Sequence, residues 1–343
     1  MLPLLVDKVV FDTPFEVEGT RLKMAANRYS VPHGAAGGVT LILAHASGTH
    51  KEHWEPVLHG LFELQKSLSA PGQSVIREAW AFDWHTHGDS ALLNAEALAR
   101  LPDSGTSITH WAEAIAAFVE AHLSSHRLVA MGHSAGTTAV MYSTKCYKAS
   151  SGVKYEAVIL VEPPMIDRDV YQANFKNREQ QINLITKGIS AQKSKWDSRS
   201  AAYDYFARRM PWKEWDERLR VILVNHGLRS VEASYPAAGA VTTKCEKRFE
   251  ASVYLDLEGT VEATEQIEKV CSDIPIHVVF GERIDVIPRY SQDSVVDTRK
   301  GRNVASVSRI PGAGHMVVQQ QPDALAEVIY SILSAKEPTK AML

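Results

Sequence analysis

Short apolar runs of strand length alternate with amphipathic helical patterns along most of the chain. The runs are typical of buried strands, and they lie at residues 39–44, 75–82, 128–131, 157–161, 276–280 and 304–310. Helical spacing of apolar residues marks residues 52–68, 106–123 and 324–333. Residues 8–31 alternate apolar and polar positions and predict an antiparallel hairpin. Strands that alternate with helices in this order predict an α/β fold with a mostly parallel central sheet and helices on both faces.

A long insertion interrupts this alternation between the strands at 157–161 and 276–280. Its length, about a hundred residues, far exceeds that of an ordinary connection between a strand and the next element. The insertion shows helical patterns and turns but no convincing strand. We therefore predict a core domain formed by residues 1–163 and 272–343, and a helical cap, residues 164–271, inserted after the sixth strand.

The predicted cap is rich in aromatic residues, which include Trp196, Trp212, Trp215, Tyr203, Tyr205 and Phe206, together with Met210. In a small helical subdomain most such side chains pack against each other. Ligands of open α/β folds, however, bind at the carboxyl edge of the strands, where an insertion after the sixth strand would lie. We therefore expect the cap to form an apolar roof over a site at this edge.

The sequence Gly132-His-Ser-Ala-Gly136 stands between the apolar run 128–131 and a segment of small and apolar residues. Gly-x-Ser-x-Gly between a strand and a helix is typical of a nucleophile elbow, a sharp turn that exposes a serine at the edge of the sheet. The glycines leave room where a Cβ would collide with neighbouring backbone. Ser134 is therefore the predicted nucleophile, and a simple tight turn is the alternative interpretation.

A serine hydroxyl needs a base that accepts its proton. His315, in Gly314-His315, follows the strand at 304–310 and precedes the last helix, so we expect it at the carboxyl edge of the sheet. Two carboxylates could orient its imidazole. Glu162 directly follows one strand and Asp285 follows the next, and both strands end at that same edge. The spacing leaves these two candidates open.

Two backbone N–H groups are predicted to stabilise the oxyanion that forms when a serine attacks a carbonyl. One belongs to Ala135, which follows the nucleophile, and the other to Ser47, in the loop after the strand at 39–44.

A competing pattern lies in the segment His85-Thr-His-Gly-Asp89, which imitates the His-x-His-x-Asp metal-binding cluster of metallo-β-lactamase-like hydrolases. The imitation is incomplete, because Ser90 occupies the position of a further histidine. We therefore predict no metal and no cofactor, and a metallohydrolase that uses His85, His87 and Asp89 is the less favoured alternative.

The composition limits the choice of partners. The 343 residues are 45 % hydrophobic and 22 % charged, which is ordinary for a globular protein with a sizeable core. The net charge of −3 does not indicate binding to nucleic acid. Three widely spaced cysteines suggest neither a disulfide framework nor a zinc site. Because no run reaches the ~18 apolar residues of a membrane span and the start lacks a basic signal region, we expect a soluble intracellular protein without a membrane span.

Several of these segments carry a resemblance to known proteins. Gly132–Gly136 and Gly314-His315 resemble signals of the α/β-hydrolase superfamily, and the resemblance covers nearly the whole chain. More narrowly, the segments 45–54, 83–90, 161–163 and 212–229 resemble a fungal branch of that superfamily. This branch includes a peroxisomal lipase-like hydrolase of yeast, an acyl-CoA hydrolase of mycophenolic acid biosynthesis and hydrolases of host-selective toxin pathways.

The resemblance implies the α/β-hydrolase fold, in which nucleophile, acid and histidine follow in this order along the chain. It also implies hydrolysis of an ester or thioester of a lipophilic acyl substrate through an acyl-enzyme on Ser134, without a cofactor. In this branch the acid can come from the earlier strand, which favours Glu162 over Asp285. A catalytically silent protein that binds an apolar ligand is the alternative function.

The compartment is predicted from the last three residues. Branch members often end in a peroxisomal tripeptide of the Ser-Lys-Leu kind, whereas this sequence ends in Ala341-Met-Leu343. Because a methionine replaces the basic residue, we expect the cytoplasm, with the peroxisome as the alternative.

Overall fold

A central sheet organises the computed structural model, which describes residues 4–32, 37–68, 75–231 and 239–335. The strands are, in chain order, β1 (Leu5–Val17), β2 (Thr20–Ser30), β3 (Val39–Ala44), β4 (Ile76–Phe82), β5 (Leu128–His133), β6 (Tyr155–Val161), β7 (Lys195–Trp196), β8 (Leu228–Ser230), β9 (Val241–Thr243), β10 (Ile276–Gly281) and β11 (Ser306–Ile310). Eight of them form the central sheet in the order β1-β2-β4-β3-β5-β6-β10-β11. The pairs β1–β2 and β2–β4 are antiparallel, and every later pair is parallel.

Helices connect the parallel strands and cover the sheet. They are, in chain order, α1 (Glu55–Leu68), α2 (Gly88–Leu93), α3 (Ala95–Leu98), α4 (Ile108–His122), α5 (Ala135–Ser143), α6 (Arg168–Ala173), α7 (Phe175–Ser190), α8 (Arg199–Arg208), α9 (Glu217–His226), α10 (Lys247–Ser252), α11 (Leu257–Val270), α12 (Arg289–Val295), α13 (Val317–Gln320) and α14 (Pro322–Ser334). A short 3-10 turn, Lys51–Trp54, precedes α1, so that helix begins three residues later than the pattern of residues 52–68 predicts.

The alternation of side chains along each strand builds one core on each face of the sheet. In β3, Ile42 joins the apolar cluster formed with α4, α5 and α11, whereas Leu41 and Leu43 join the cluster formed with α1 and α14. Every residue of β3 is buried, as expected for a central strand that is covered on both faces. The predicted architecture, a mostly parallel sheet with helices on both faces that is preceded by an antiparallel hairpin, is confirmed.

The insertion after β6 differs from its prediction in one respect. It is mostly helical, from α6 to α11, but β7, β9 and β8 pair as a second, antiparallel sheet. The expectation of helices and turns without strands is wrong here, because strands of two or three residues are too short to produce a recognisable alternation. The last helix, α11, packs on α5 and contributes Ala263 and Ile267 to the core of the main sheet.

Two further expectations concern the chain as a whole. Within the described ranges, none of the helices has the length and apolar character that crossing a bilayer requires. The tripeptide 341–343, on which the prediction of the compartment depends, lies outside the described residues.

Candidate active site

The turn between β5 and α5 presents Ser134 at the carboxyl edge of the sheet. Its backbone adopts φ 51° and ψ −121°, a left-handed region that is unfavourable for a residue with a side chain. Two glycines permit this turn. A Cβ on Gly132 would lie 2.2 Å from the carbonyl oxygen of Gly136, and one on Gly136 would lie 2.2 Å from that of Ala44. The predicted elbow is therefore present, and its glycines are required by close backbone contacts.

Three of the predicted residues form one continuous chain of hydrogen bonds. His315 Nε2 lies 2.9 Å from Ser134 Oγ, and His315 Nδ1 lies 3.0 Å from Glu162 Oε2. Because a carboxylate only accepts hydrogen bonds, the proton of the neutral ring belongs on Nδ1. Nε2 then has a free lone pair directed at the serine hydroxyl. All three residues are buried, and Ser134 is 7 % exposed.

Hydrogen bonds fix both the backbone and the carboxylate of Glu162. It follows β6 directly and has a positive φ of 52°, the same unfavourable region that Ser134 occupies. Its N–H donates to the carbonyl of Val279 at 2.8 Å, and its Oε1 accepts from the N–H of Gly281 at 2.5 Å. The second carboxylate oxygen is thereby fixed in the direction of His315. A positive φ at a residue whose buried carboxylate contacts a histidine is typical of a functional position.

Asp285 contacts the same histidine at a different atom. Its Oδ1 accepts from the backbone N–H of His315 at 2.9 Å and from that of Val286 at 2.8 Å. The side chain is exposed, and in the described structure it forms no hydrogen bond with the imidazole ring. Asp285 thus ties together the loops after β10 and β11, while Glu162 contacts the ring itself.

His133 is a site residue that the sequence did not single out. Its Nε2–H donates to the carbonyl of His315 at 2.8 Å, while its Nδ1 is buried without a partner among the described residues. Burial and the proximity of His315 and His45 lower the pKa of His133 to about 3, so the imidazole stays neutral. Its place next to the serine in Gly-His-Ser-Ala-Gly is the signal that could have identified it.

The two residues predicted for the oxyanion hole, Ala135 and Ser47, lie in the lining of the cavity together with Ser134. Ala135 is the first residue of α5, so its N–H has no acceptor within the helix. Ser47 follows β3, and its hydroxyl donates to the carbonyl of Glu250 at 3.0 Å, which fixes this loop against the insertion. Ser47, Ser134 and Ala135 all line the same cavity, which has a volume of about 270 Å³. A carbonyl bound in this cavity would have both loops next to it.

The other side of the cavity comes largely from the insertion. Side chains of α6, α7, the segment before α11 and the first turn of α11 contribute Tyr171, Phe175, Arg178, Glu179, Ile182, Asn183, Val253, Tyr254, Leu255, Asp256, Leu257 and Thr260. The insertion therefore lines the far side of the cavity with both apolar and polar side chains, and the aromatic residues that were expected there are not among them. Trp196, Trp212 and Trp215 pack with Phe206 in a separate cluster and do not line this cavity. The large aromatic side chains of this cluster bury one another instead.

The segments 45–54 and 83–90, which carry the narrower resemblance, meet in a buried ionic cluster. Lys51 Nζ lies within 2.8 Å of carboxylate oxygens of Glu52, Asp83 and Asp89. Burial alone would lower the pKa of Lys51, but these three carboxylates raise it above its usual range. The cluster fixes the loop after β3 to the loop after β4. The four residues of this ionic cluster thus support the loop that contains Ser47. They do not themselves line the cavity.

The alternative metal site does not match its surroundings. His87 Nε2 accepts from the N–H of Gly48 at 3.1 Å, and Asp89 is paired with Lys51 and with Lys244. Burial lowers the pKa of His85 to about 3, and its Nε2 lies 3.3 Å from a threonine hydroxyl. Across the described ranges, no group of three or more histidine, cysteine or acidic residues has the arrangement of a metal site. Among the described residues, the other donor atoms of this segment have protein partners, whereas His85 Nδ1 is buried without one.

Comparison with known families assigns the chain to one of them. A model of the alpha/beta hydrolase family matches residues 41–328, which include the elbow, both carboxylates and His315. The chain belongs to this family. A comparison with curated protein sequences finds no significant match.

Solved structures of other alpha/beta hydrolases share the fold. The peroxisomal alpha-beta-hydrolase Lpx1 of Saccharomyces cerevisiae is 18 % identical, with a TM-score of 0.75 over 96 % of this chain and 89 % of Lpx1. The esterase Rv0045c of Mycobacterium tuberculosis is 17 % identical, with a TM-score of 0.63 over 97 % and 92 % of the two chains. A thioesterase domain from the curacin biosynthetic pathway is 15 % identical, with a TM-score of 0.61 over 95 % and 99 %. At these identities the likeness establishes the fold.

Proposed function

We propose that this α/β-hydrolase cleaves a carboxylic ester or thioester of a lipophilic acyl substrate through an acyl-enzyme on Ser134. The observation that carries the proposal is the continuous hydrogen-bonded chain from Ser134 through His315 to Glu162. Binding alone does not require a strained serine aligned with a histidine and a buried carboxylate. A catalytically silent ligand-binding protein is therefore the weaker alternative.

In the proposed mechanism His315 Nε2 accepts the proton of Ser134 as the serine oxygen attacks the substrate carbonyl. The resulting oxyanion accepts hydrogen bonds from the N–H groups of Ala135 and Ser47. The imidazolium then protonates the leaving alcohol or thiol, which departs and leaves an acyl-enzyme. Water, deprotonated by the same histidine, hydrolyses this intermediate and regenerates the serine.

Glu162 is the proposed acid of the triad. Its carboxylate would hold the Nδ1 proton of His315 in place and stabilise the imidazolium that forms during the reaction. Asp285 is proposed as a positioning residue, because its carboxylate accepts from the backbone of His315 and not from the ring. Both roles follow from which atom of the histidine each carboxylate contacts.

A lipophilic substrate is supported by the cavity lining. Ile166, Phe175, Ile182, Val253 and Leu255 present apolar side chains to the cavity that contains the serine. We assign these residues and the rest of the predicted cap, residues 164–271, to substrate selection. The packing of α11 on α5 favours an end of the cap before this helix.

The narrower relationship is proposed on two grounds. The segments 45–54 and 83–90 resemble the fungal branch described above, and Lpx1 shares the fold over 96 % of this chain. Whether the leaving group is an alcohol or a thiol stays open between esterases and thioesterases, since both kinds of enzyme share the fold. The cytoplasm remains our prediction for the compartment.

A fluorophosphonate probe, which labels activated serines, tests the proposal directly. The protein should be labelled once, at Ser134, and hydrolyse p-nitrophenyl octanoate or octanoyl-CoA. Ser134→Ala should abolish labelling and hydrolysis with an unchanged circular dichroism spectrum. Ser124→Ala, at an exposed serine, is the matched control and should behave as the wild type. Labelling that persists in Ser134→Ala would contradict the proposal.

A further inference from the structure

Arg178 lies on α7 in the wall of the cavity that Ser134 also lines. The residue is only 8 % exposed. Its side chain makes one hydrogen bond to the described part of the protein, from Nη1 to Gln181 Oε1 at 2.6 Å. No carboxylate within the described ranges forms an ion pair with it. A buried positive charge therefore faces the cavity without a compensating negative charge.

Arg302 is a buried arginine that serves only the fold, and its ion pairs provide a comparison for Arg178. Its side chain is fully buried, and its guanidinium donates to the carboxylates of Asp167 and Glu268. Such pairing is expected, because the protein interior cannot replace the hydration of an isolated charge. Arg178 is nearly as buried but lacks this compensation. The difference points to a partner that enters from the cavity.

The groups that face Arg178 are phenols and not acids. Its electrostatic neighbours are Tyr171, Tyr254 and Tyr290, of which the first two also line the cavity. Burial lowers the pKa of Arg178, and the phenols offset only part of this effect. Burial also raises the pKa of Tyr254 to about 12, so its hydroxyl remains protonated and can donate a hydrogen bond. Arg178 and Tyr254 therefore both bring hydrogen-bond donors to the lining of the cavity, which suits an anion.

The two acidic residues of the cavity lining have other surroundings. Glu179 is exposed to solvent. Asp256 caps α11, where its carboxylate accepts from the N–H of Gly259 at 3.0 Å, and it also lies 3.4 Å from the N–H of Ile108. In the described structure neither residue forms an ion pair with Arg178. The guanidinium is thus available to a ligand.

We propose that Arg178 binds a carboxylate carried by the acyl substrate, away from the carbonyl that Ser134 attacks. The proposal rests on the proposed hydrolysis at Ser134 and specifies its substrate. A guanidinium offers a carboxylate two parallel N–H donors, and the two charges cancel. A phosphate dianion would leave an excess charge in a cavity with a single cation. The preferred substrate is then an acyl chain with an apolar middle and a carboxylate at its far end.

The test compares two esters of equal chain length. p-Nitrophenyl hydrogen suberate has a free carboxylate, and p-nitrophenyl methyl suberate has the same chain with that group capped. The wild type should prefer the free acid by about 10-fold to 100-fold in kcat/KM, as expected for a charge-assisted hydrogen bond. The corresponding succinate, adipate and sebacate pairs should show at which length the preference is largest.

Substitutions of Arg178 and of a control arginine test whether the preference for the free acid depends on Arg178. Arg178→Gln should reduce the ratio between the two esters towards one, and Arg178→Lys should keep part of it. Arg299→Gln is the matched control, because Arg299 is exposed in a surface turn and paired with Asp297. This variant makes the same change in net charge and should keep the full ratio. A wild type that hydrolyses both esters equally, or prefers the capped one, would overturn the proposal.

Binding measurements separate this proposal from the proposed function. Calorimetry on Ser134→Ala should show tighter binding of monomethyl suberate than of dimethyl suberate, and adding Arg178→Gln should remove the difference. If neither p-nitrophenyl ester is hydrolysed, the hydrolase proposal fails, while the calorimetric comparison still decides whether Arg178 binds a carboxylate. If Arg178→Gln only raises KM for octanoyl-CoA and leaves the ester ratio unchanged, the guanidinium serves a phosphate and the carboxylate proposal is overturned.

Discussion

The cavity has two walls that are built in different ways. The core wall includes Ser47 and Ser134, which belong to loops and turns at the edge of the sheet, and Ala135 and Ile108, which are the first residues of α5 and α4. The cap wall consists of the cavity residues of α6, α7 and the segment 253–257. On the core wall Ser134 is 7 % exposed, whereas on the cap wall Phe175 is 43 % exposed and Leu255 is 68 % exposed.

The two walls also differ in how completely their residues are fixed. Ser134 and Glu162 both have positive φ angles, and the surrounding strands and hydrogen bonds hold them there. The cap wall presents mainly apolar side chains from helices, which tolerate changes of size better than a hydrogen-bonded geometry does. From this difference we expect the core wall to determine the chemical step and the cap wall to determine the choice of substrate.

The largest expected effect concerns the two carboxylates that contact His315. Glu162→Gln should lower kcat by about 10⁴-fold, because the amide cannot stabilise the imidazolium. Asp285→Asn is the matched control, since it also replaces a carboxylate by an amide. Its Oδ1 can still accept from the N–H groups of His315 and Val286, so we expect a loss of kcat below about 10-fold. Steady-state kinetics with p-nitrophenyl octanoate measures both.

The reverse order would assign the acid to the other strand. If Asp285→Asn abolishes activity and Glu162→Gln retains most of its kcat, the proposed role of Glu162 is wrong. Thermal unfolding of both variants should accompany the kinetics, because Glu162 also accepts from the N–H of Gly281. A loss of activity without a loss of the folded state is the outcome that supports the acid role.

The sequence predicted the core wall better than the cap wall. Strand-length apolar runs and Gly-x-Ser-x-Gly are local patterns, so they predicted the sheet and Ser134 directly, and the position of His315 after the last strand predicted the histidine. The choice between Glu162 and Asp285 stayed open on local grounds, because both follow strands that end at the same edge. Which of them contacts the imidazole ring depends on side-chain direction, which only the assembled loops determine.

Local sequence patterns did not predict which residues form the cap wall. Trp196, Trp212 and Trp215 drew the prediction of a roof because they are large and apolar, yet they bury one another. Arg178 lies on a helix with many polar residues, where an arginine is usually a solvated surface residue. Only the packing of α7 over the cavity shows that this arginine is buried. Long-range packing, and not residue type, selects the residues that face a substrate.

A smaller effect should come from apolar residues of the cap wall. With p-nitrophenyl esters from acetyl to decanoyl, kcat/KM should rise about 4-fold per added methylene until the cavity is full, since each buried CH₂ contributes about 0.8 kcal/mol. Ile182→Ala should lower kcat/KM for the best ester several-fold and move the optimum to a longer chain, because it enlarges the cavity. A flat profile in the wild type would contradict an apolar acyl site.

Leu184→Ala provides the control on the same helix. Leu184 is 75 % exposed and does not line the cavity, so its removal should leave the chain-length profile as it is. Ile182→Ala and Leu184→Ala both replace an aliphatic side chain of α7 by alanine. They differ in whether the original side chain faces the cavity. An equal shift in both variants would mean that α7 acts through its stability and not through contact with the substrate.

The smallest expected effect is that of metal chelators, which should leave both walls unaltered. The segment His85-Thr-His-Gly-Asp89 has a metal-like pattern, but most of its donor atoms already bind protein groups. His87 accepts from Gly48, and Asp89 is paired with Lys51 and Lys244. A metal would have to displace these partners and break the ionic cluster that supports the loop of Ser47.

Activity with p-nitrophenyl octanoate should therefore survive EDTA and phenanthroline, and elemental analysis should find no stoichiometric zinc. Activity that is lost on chelation and restored by zinc would show that the metallohydrolase interpretation is the correct one, and that the core wall does not act through Ser134 alone.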